Sequence, residues 1–146
     1  AVGITQEVAK KLERRLNAAE SSRYKVYVGL RHWHPFIKET YADLLKESPE
    51  QIIAACMAPQ QSSLSTGAYR KKVEEARAEL EDRTPVTYVG SWHRHPRLIA
   101  AILDNIQQGL LAFPADGREV VPVLFTALSM PERIVAMKDP YPDEVK

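Results

Sequence analysis

Hydrophobic residues alternate between two periods along this chain, one typical of helices and one typical of strands. Amphipathic helical stripes begin near Val8, Ile37, Tyr69 and Leu98. Short β-rich or wholly apolar runs lie before or between them, at Tyr24–Leu30, Gln51–Ala58, Thr84–Gly90 and Glu119–Ala127. This alternation predicts an α/β fold, with a parallel four-stranded sheet and helices on both faces.

The run Gln51–Ala58 is almost entirely apolar, which is typical of a strand covered on both faces. Cys56 lies inside it and is expected to be buried and inert. Because it is the sole cysteine, an internal disulfide is excluded, and a reducing compartment such as the cytoplasm is expected.

Composition narrows the class of partner. The 146 residues suit a single domain, with 45% hydrophobic and 27% charged side chains. The net charge of +1 gives no electrostatic argument for nucleic acid as a partner. No apolar run approaches the roughly 20 residues that cross a bilayer.

One phrase, Y-V-G-x-x-H-x-H-P, occurs at Tyr27–Pro35 and again at Tyr88–Pro96, and the two copies contain all four histidines. Each copy is predicted to end a strand and to begin a helix at its proline. Both histidine pairs should then lie at the carboxyl edge of the sheet, with the serine-rich segment Pro59–Gly67 and the segment Thr126–Pro131. Ligands of parallel sheets bind at this edge.

Several residues of this edge allow two interpretations. Four imidazoles could bind a metal, but no cysteine or obvious carboxylate completes a known ligand pattern, so they could instead bond to backbone groups at helix starts. The serine-rich segment could hold an anion or form a solvated turn. Helical spacing favours Tyr69 as a core residue over a pocket wall. Trp33 and Trp92 could face a flat ligand or simply pack.

Three stretches, "VYVGLRHWHPF", "APQQSSLSTGAY" and "FTALSMPERIVAMKDPYPDEV", together resemble the central part of ferrochelatase. The resemblance spans nearly the whole chain. It implies a class II chelatase fold, ferrous iron and a porphyrin as substrates, and no resident cofactor. It further implies that residues 1–146 form a single chelatase-like α/β domain of a longer, two-halved enzyme, completed by a second half-domain or a homodimer.

The resemblance also implies a porphyrin-binding role for particular positions. They are Arg31, His32, Gln60, Ser63, Ser65, Thr66 and Tyr69. Tyr69 matches a tyrosine that contacts the macrocycle, which reverses the preference drawn from spacing. His34, His93 and His95 match variable positions.

Two residues depart from the family pattern. Leu128 occupies the position of the family's catalytic histidine and offers neither a lone pair nor a proton site. Proton transfer and metal binding would then need another group, either His32 or residues of a partner chain. Lys138 replaces the glycine usual before Asp-Pro-Tyr-Pro, at a turn that needs a positive φ.

Three functions follow. The first is a ferrochelatase of haem biosynthesis, cytoplasmic or associated with a membrane. The second is a catalytically silent tetrapyrrole-binding relative or fragment, which Leu128 favours. The third, less favoured by the motifs, is a chelatase for another metal or tetrapyrrole.

Overall fold

A computed structural model describes residues 2–19 and 23–146. In chain order the elements are α1 (Val2–Ala19), α2 (Ile37–Leu45), β1 (Ile52–Ala54), α3 (Thr66–Glu79), β2 (Val86–Tyr88), α4 (Pro96–Leu110), a 3-10 helix (Ala115–Val120), α5 (Arg133–Ala136) and α6 (Tyr141–Glu144). They form two compact units. The first contains the described residues up to Ala55 together with Ala68–Val89, and the second contains Cys56–Gly67 and Gly90–Lys146.

The sheet lies in the first unit. β1 and β2 pair in parallel, with Ile52 opposite Val86 and Ala54 opposite Tyr88, so both strands end at the same edge. Parallel strands need a crossover connection, and helix α3 lies within the one that joins them. The structure therefore confirms the α/β class, with two parallel strands among the described residues rather than the four expected.

The segment Tyr24–Leu30, expected to be a strand, has no regular structure apart from an isolated bridge at Leu30. Side chains of helix α1 instead bond to backbone groups that a neighbouring strand would use. The side-chain amide of Asn17 donates to Tyr24 O (2.9 Å), and its oxygen accepts from Tyr24 N (2.8 Å). Glu13 Oε2 accepts from Val26 N at 2.6 Å. Since a strand ladder needs these same groups, side chains of α1 replace a strand partner here.

The expected strand at Glu119–Ala127 is also not formed in the described chain. Its first two residues belong to the 3-10 helix, and the rest has no regular structure. Leu124 and Phe125 are 87% and 74% exposed, so this apolar run lacks the cover that an inner strand needs.

The core of the first unit confirms the predicted faces of two helices. Ile37 and Tyr41 of α2 and Ala76 of α3 are buried. The buried Tyr41 hydroxyl donates to Asp82 Oδ2 at 2.7 Å, which satisfies its polar group.

The prediction that β1 is covered on both faces is wrong. Ile53 is 60% exposed, whereas Ile52 and Ala54 are half-buried, so burial alternates as in a strand with one covered face. Cys56, expected to be buried, is half-buried.

Lys138 adopts the left-handed turn for which a glycine was expected at this position. Its φ is 49°, in the left-handed region. Its N–H donates to Val135 O, and the N–H of Asp139 donates to Ile134 O, the two bonds that close a helix C-terminus. A side chain in this region costs about 1 kcal/mol relative to glycine. Asp139 directly follows this turn and bonds to Ser62 and Ser63 of the second unit.

Candidate functional site

The serine-rich segment of the second unit is folded around Ser62, which is fully buried. Ser62 Oγ donates to Asp139 Oδ2 (3.3 Å) and accepts from Leu64 N (3.2 Å). Asp139 Oδ2 also accepts from Ser63 N at 2.7 Å. The carboxylate of the Asp-Pro-Tyr-Pro motif is therefore the anchor of this segment.

Asp139 is 7% exposed, and both of its oxygens are engaged. Oδ1 accepts from Tyr141 N at 3.1 Å. Burial alone would raise the pKa of Asp139, but the hydrogen bonds from Ser63 N–H and Tyr141 N–H outweigh it and hold the pKa below its ordinary value. The side chain is thus held as a carboxylate by donors from its own chain.

A second carboxylate, Glu144, binds the same segment at Gln61. Its Oε2 accepts from Gln61 N at 2.5 Å and lies 2.8 Å from Ser91 Oγ. His93 Nδ1 lies 3.5 Å from the same oxygen and 2.7 Å from Ser91 Oγ. Glu144 therefore joins the serine-rich segment to the second histidine phrase.

Direct contacts strengthen this junction. Trp92 donates from its backbone N–H to Pro59 O (3.0 Å) and from its indole Nε1 to Cys56 O (3.1 Å). The serine-rich segment and the second histidine phrase therefore lie together, as predicted. Trp92 is therefore packed against the chain, as one of its two interpretations predicted. Trp33, by contrast, is 67% exposed.

These contacts bear on the anion hypothesis for the serine-rich segment. The N–H groups of Gln61 and Ser63 already bond to carboxylates of the chain, and that of Ser62 bonds to Thr66 Oγ1 at 3.0 Å. Because Asp139 and Glu144 occupy the positions of an anion, the structure favours an internally satisfied turn.

Leu128 lies on a segment that Tyr141 attaches to the rest of the second unit. The Tyr141 hydroxyl donates to Leu128 O at 2.9 Å, and the leucine side chain is 76% exposed. Thr126–Pro131 therefore contacts the Asp-Pro-Tyr-Pro motif, and the leucine side chain that the resemblance sets in place of a histidine is exposed.

In the first unit, the structure brings together two predicted porphyrin-binding residues. The Arg31 guanidinium carbon lies 5.6 Å from the centre of the Tyr69 ring, within cation–π range. Tyr69 is half-buried, and His32 is exposed. The ring of Tyr69 is therefore a partly covered surface under a cation rather than a core residue.

A groove of about 220 Å³ lies beside Arg31 in the first unit. Charged side chains line much of it, including the ion pairs Lys38–Glu79 and Lys72–Glu75. Ligand pockets are typically about 300–1,000 Å³ and mostly apolar. This groove is too small and too charged for a macrocycle.

Two of the four histidines act at helix starts. His95 is the N-cap of α4, and its Nδ1 accepts from Arg97 N at 3.2 Å. His34 Nδ1 lies 3.1 Å from Glu39 Oε2, which also accepts from Phe36 N. In the part of the chain that the structure describes, no three histidine, cysteine or acidic side chains lie close enough to hold a metal.

The remaining predicted residues lie in the serine-rich segment. Ser63 is exposed, and Gln60, Ser65 and Thr66 are half-buried. Sequence reasoning missed Ser62, Asp139 and Glu144, which organise the segment. The one available signal was Asp139 itself, an acid within the distinctive Asp-Pro-Tyr-Pro motif, whereas Ser62 and Glu144 carry no local signature.

Comparisons with known proteins identify a matching family and several similar sequences. The model of the ferrochelatase family matches residues 2–146. A ferrochelatase from Herpetosiphon aurantiacus is 36% identical over 142 residues, which are 97% of this chain and 47% of that protein. A ferrochelatase from Deinococcus radiodurans is 38% identical over 121 residues, covering 83% of this chain and 38% of that protein. A coproporphyrin III ferrochelatase from Bacillus subtilis is 32% identical over 143 residues, covering 97% and 46% respectively.

These similarities place the chain in the class of tetrapyrrole chelatases. The chain belongs to the ferrochelatase family. It spans slightly less than half the length of the Herpetosiphon and Bacillus relatives. None of the helices in the described residues is both long and apolar enough to cross a membrane.

Proposed function

We propose that this chain is part of an enzyme of haem biosynthesis that inserts ferrous iron into a porphyrin. Its place in the ferrochelatase family supports the proposal, and the two carboxylates that fold the serine-rich segment are the observation that carries it. An internally braced turn is suited to hold fixed side chains against a rigid macrocycle.

Particular residues of the chain are proposed to contact the porphyrin. Arg31 and Tyr69 supply a cation and an aromatic face, and His32 supplies an exposed imidazole. From the serine-rich segment come the side chains Gln60, Ser63, Ser65 and Thr66. The metal would reach His32 as substrate, and the same imidazole would accept a pyrrole proton.

The finer features of the fold belong to this proposal as well. They are the class II chelatase fold with a four-stranded sheet, and a single domain within a longer enzyme. The relatives' greater length supports the last point. A cytoplasmic location, expected from the single cysteine, is part of the proposal too.

A second function, a silent tetrapyrrole-binding relative, is favoured by Leu128. Iron insertion removes two N–H protons from the macrocycle and water from Fe²⁺, and an exposed leucine assists neither step. The retained serine-rich segment is compatible with binding alone.

Anaerobic incubation with Fe²⁺ and a porphyrin separates these functions. Protoporphyrin and coproporphyrin III should both be tried, with metal insertion followed by the shift of the Soret band. Leu128→His should raise the insertion rate by about 10²-fold, the lower end of the usual effect of a positioned acid or base. Leu124→His, which places a histidine at another exposed position of the same segment, is the matched control and should leave the rate unchanged.

Each result has a distinct meaning. If both the unaltered protein and Leu128→His bind porphyrin without inserting iron, the enzyme proposal is rejected. The silent tetrapyrrole-binding function is then supported. Absence of porphyrin binding would remove both functions.

A further inference from the structure

The serine-rich segment contains both hidden and accessible side chains. Ser62 is fully buried and Asp139 is 7% exposed, so neither can contact a ligand. Ser63 is exposed, and Ser65 and Thr66 are half-buried. The positions of the accessible side chains therefore depend on the buried pair Ser62 and Asp139.

We propose that Asp139 is a positioning residue for porphyrin binding, which sets the shape of the segment Gln60–Thr66 without touching the macrocycle. This inference rests on the proposed function, since it assigns a cause to the geometry of that site. Asp139 spans 76 positions of sequence to reach Ser63 N, so the contact is a tertiary one.

The chemistry of the contact makes Asp139 hard to replace. Three donors converge on its two oxygens: Ser63 N–H, Ser62 O–H and Tyr141 N–H. In Asp139→Asn, one of the two acceptor oxygens is replaced by an NH₂ group. That NH₂ group would face one of the donors and could not accept a hydrogen bond from it. A buried N–H would then lose its partner, and the segment would shift to satisfy it.

Rigidity of the segment is the expected benefit. A binding site that is already ordered does not lose conformational entropy when the ligand arrives, so affinity depends on the bracing of the site. Loss of the Asp139 contacts should therefore weaken porphyrin binding even in a protein that remains folded.

The test compares Asp139→Asn with Asp143→Asn. Both remove one negative charge, but the Asp143 side chain is 86% exposed, so it controls for charge alone. Coproporphyrin III binding is measured by quenching of tryptophan emission, at a temperature where both variants are folded. Amide hydrogen exchange at Ser63 and Tyr141 reports the segment itself.

The expected result is a Kd about tenfold higher for Asp139→Asn, with faster exchange at both amides, and no change for Asp143→Asn. Faster exchange with an unchanged Kd would show a purely structural role and overturn the proposal. Where Asp139→Asn does not fold, Ser62→Ala keeps the carboxylate and removes one donor; it should raise Kd about threefold, and an unchanged Kd again overturns the proposal.

This design keeps the two levels of inference apart. Failure of the unaltered protein to bind coproporphyrin III or protoporphyrin removes the proposed function and the role of Asp139 with it. Binding by the unaltered protein, with the same Kd in Asp139→Asn, removes only the role of Asp139.

Discussion

The two copies of Y-V-G-x-x-H-x-H-P have the same fixed letters, yet their glycines meet different surroundings. A Cβ on Gly29 would lie 3.1 Å from the Ile37 backbone Cα and 3.3 Å from its Cγ1. At Gly90, apart from the glycine and its two chain neighbours, no heavy atom of the described chain lies within 4 Å of the corresponding position. The first glycine is needed because helix α2 approaches closely, whereas the second has room for a side chain.

The histidines of the two copies also differ in their partners. His95 caps α4 directly, whereas at the start of α2 the carboxylate of Glu39 bonds to Phe36 N–H and His34 only contacts that carboxylate. The copies thus share the task of starting a helix and use different atoms for it.

The largest expected difference in stability is between alanine variants of the two glycines. Gly29→Ala should lower the free energy of unfolding by about 1–3 kcal/mol, because the new methyl group meets helix backbone that cannot easily move. Gly90→Ala, the matched control, should change it by less than about 0.5 kcal/mol. Urea unfolding followed by circular dichroism measures both, and equal losses would show that the two sites are packed alike.

A smaller difference in stability is expected between variants of His34 and His95, the second histidine of each copy. His95→Ala removes the N-cap acceptor of α4 and should cost about 0.5–1 kcal/mol. His34→Ala should cost less, because Glu39 still accepts the Phe36 N–H. His95→Asn supplies another capping oxygen and should therefore retain most of the free energy of unfolding that His95→Ala loses. A larger effect of His34→Ala than of His95→Ala in thermal unfolding would reverse the comparison.

The smallest effect is a pH dependence confined to the first copy. The hydrogen bond from Phe36 N–H lowers the pKa of Glu39 from its ordinary 4.5; burial opposes this, and His34 adds to it. A lowered pKa in the folded protein adds stability above pH 4.5, which is lost as the pH falls through the lowered value.

Glu39→Gln should therefore destabilise the protein at pH 6, and its difference from the unaltered protein should shrink below pH 4.5. Urea unfolding between pH 3 and pH 6 measures this, with the exposed Glu50→Gln as control. A difference that stays constant over this range would mean that the carboxylate charge of Glu39 contributes nothing.

Helices were the most predictable part of the fold. The stripes of α2 and α4 depend on residues three or four positions apart, and such local patterns can be read directly. Strand pairing was less predictable, because it depends on which groups reach the strand edge first. At Tyr24 and Val26 those groups are the side chains of Asn17 and Glu13, which no strand pattern reveals.

The candidate site was predictable as a neighbourhood but not in its internal order. Proximity of the serine-rich segment to the second histidine phrase followed from the parallel βαβ arrangement. The choice of Ser62 over Ser63 as the buried serine did not follow, since neighbouring serines have the same chemistry. Only the tertiary contact with Asp139 distinguishes them: it bonds to the side chain of Ser62 but to the backbone N–H of Ser63.

The sequence by itself determined the α/β class, the helices, the family and the residues that lie near one another after the strands, because each depends on short-range periodicity or on distinctive motifs. The tertiary structure alone decided which extended segments pair, which glycine is indispensable and which carboxylates occupy the serine-rich turn. Those outcomes depend on contacts between residues dozens of positions apart, where distance, burial and competing donors select among chemically similar groups.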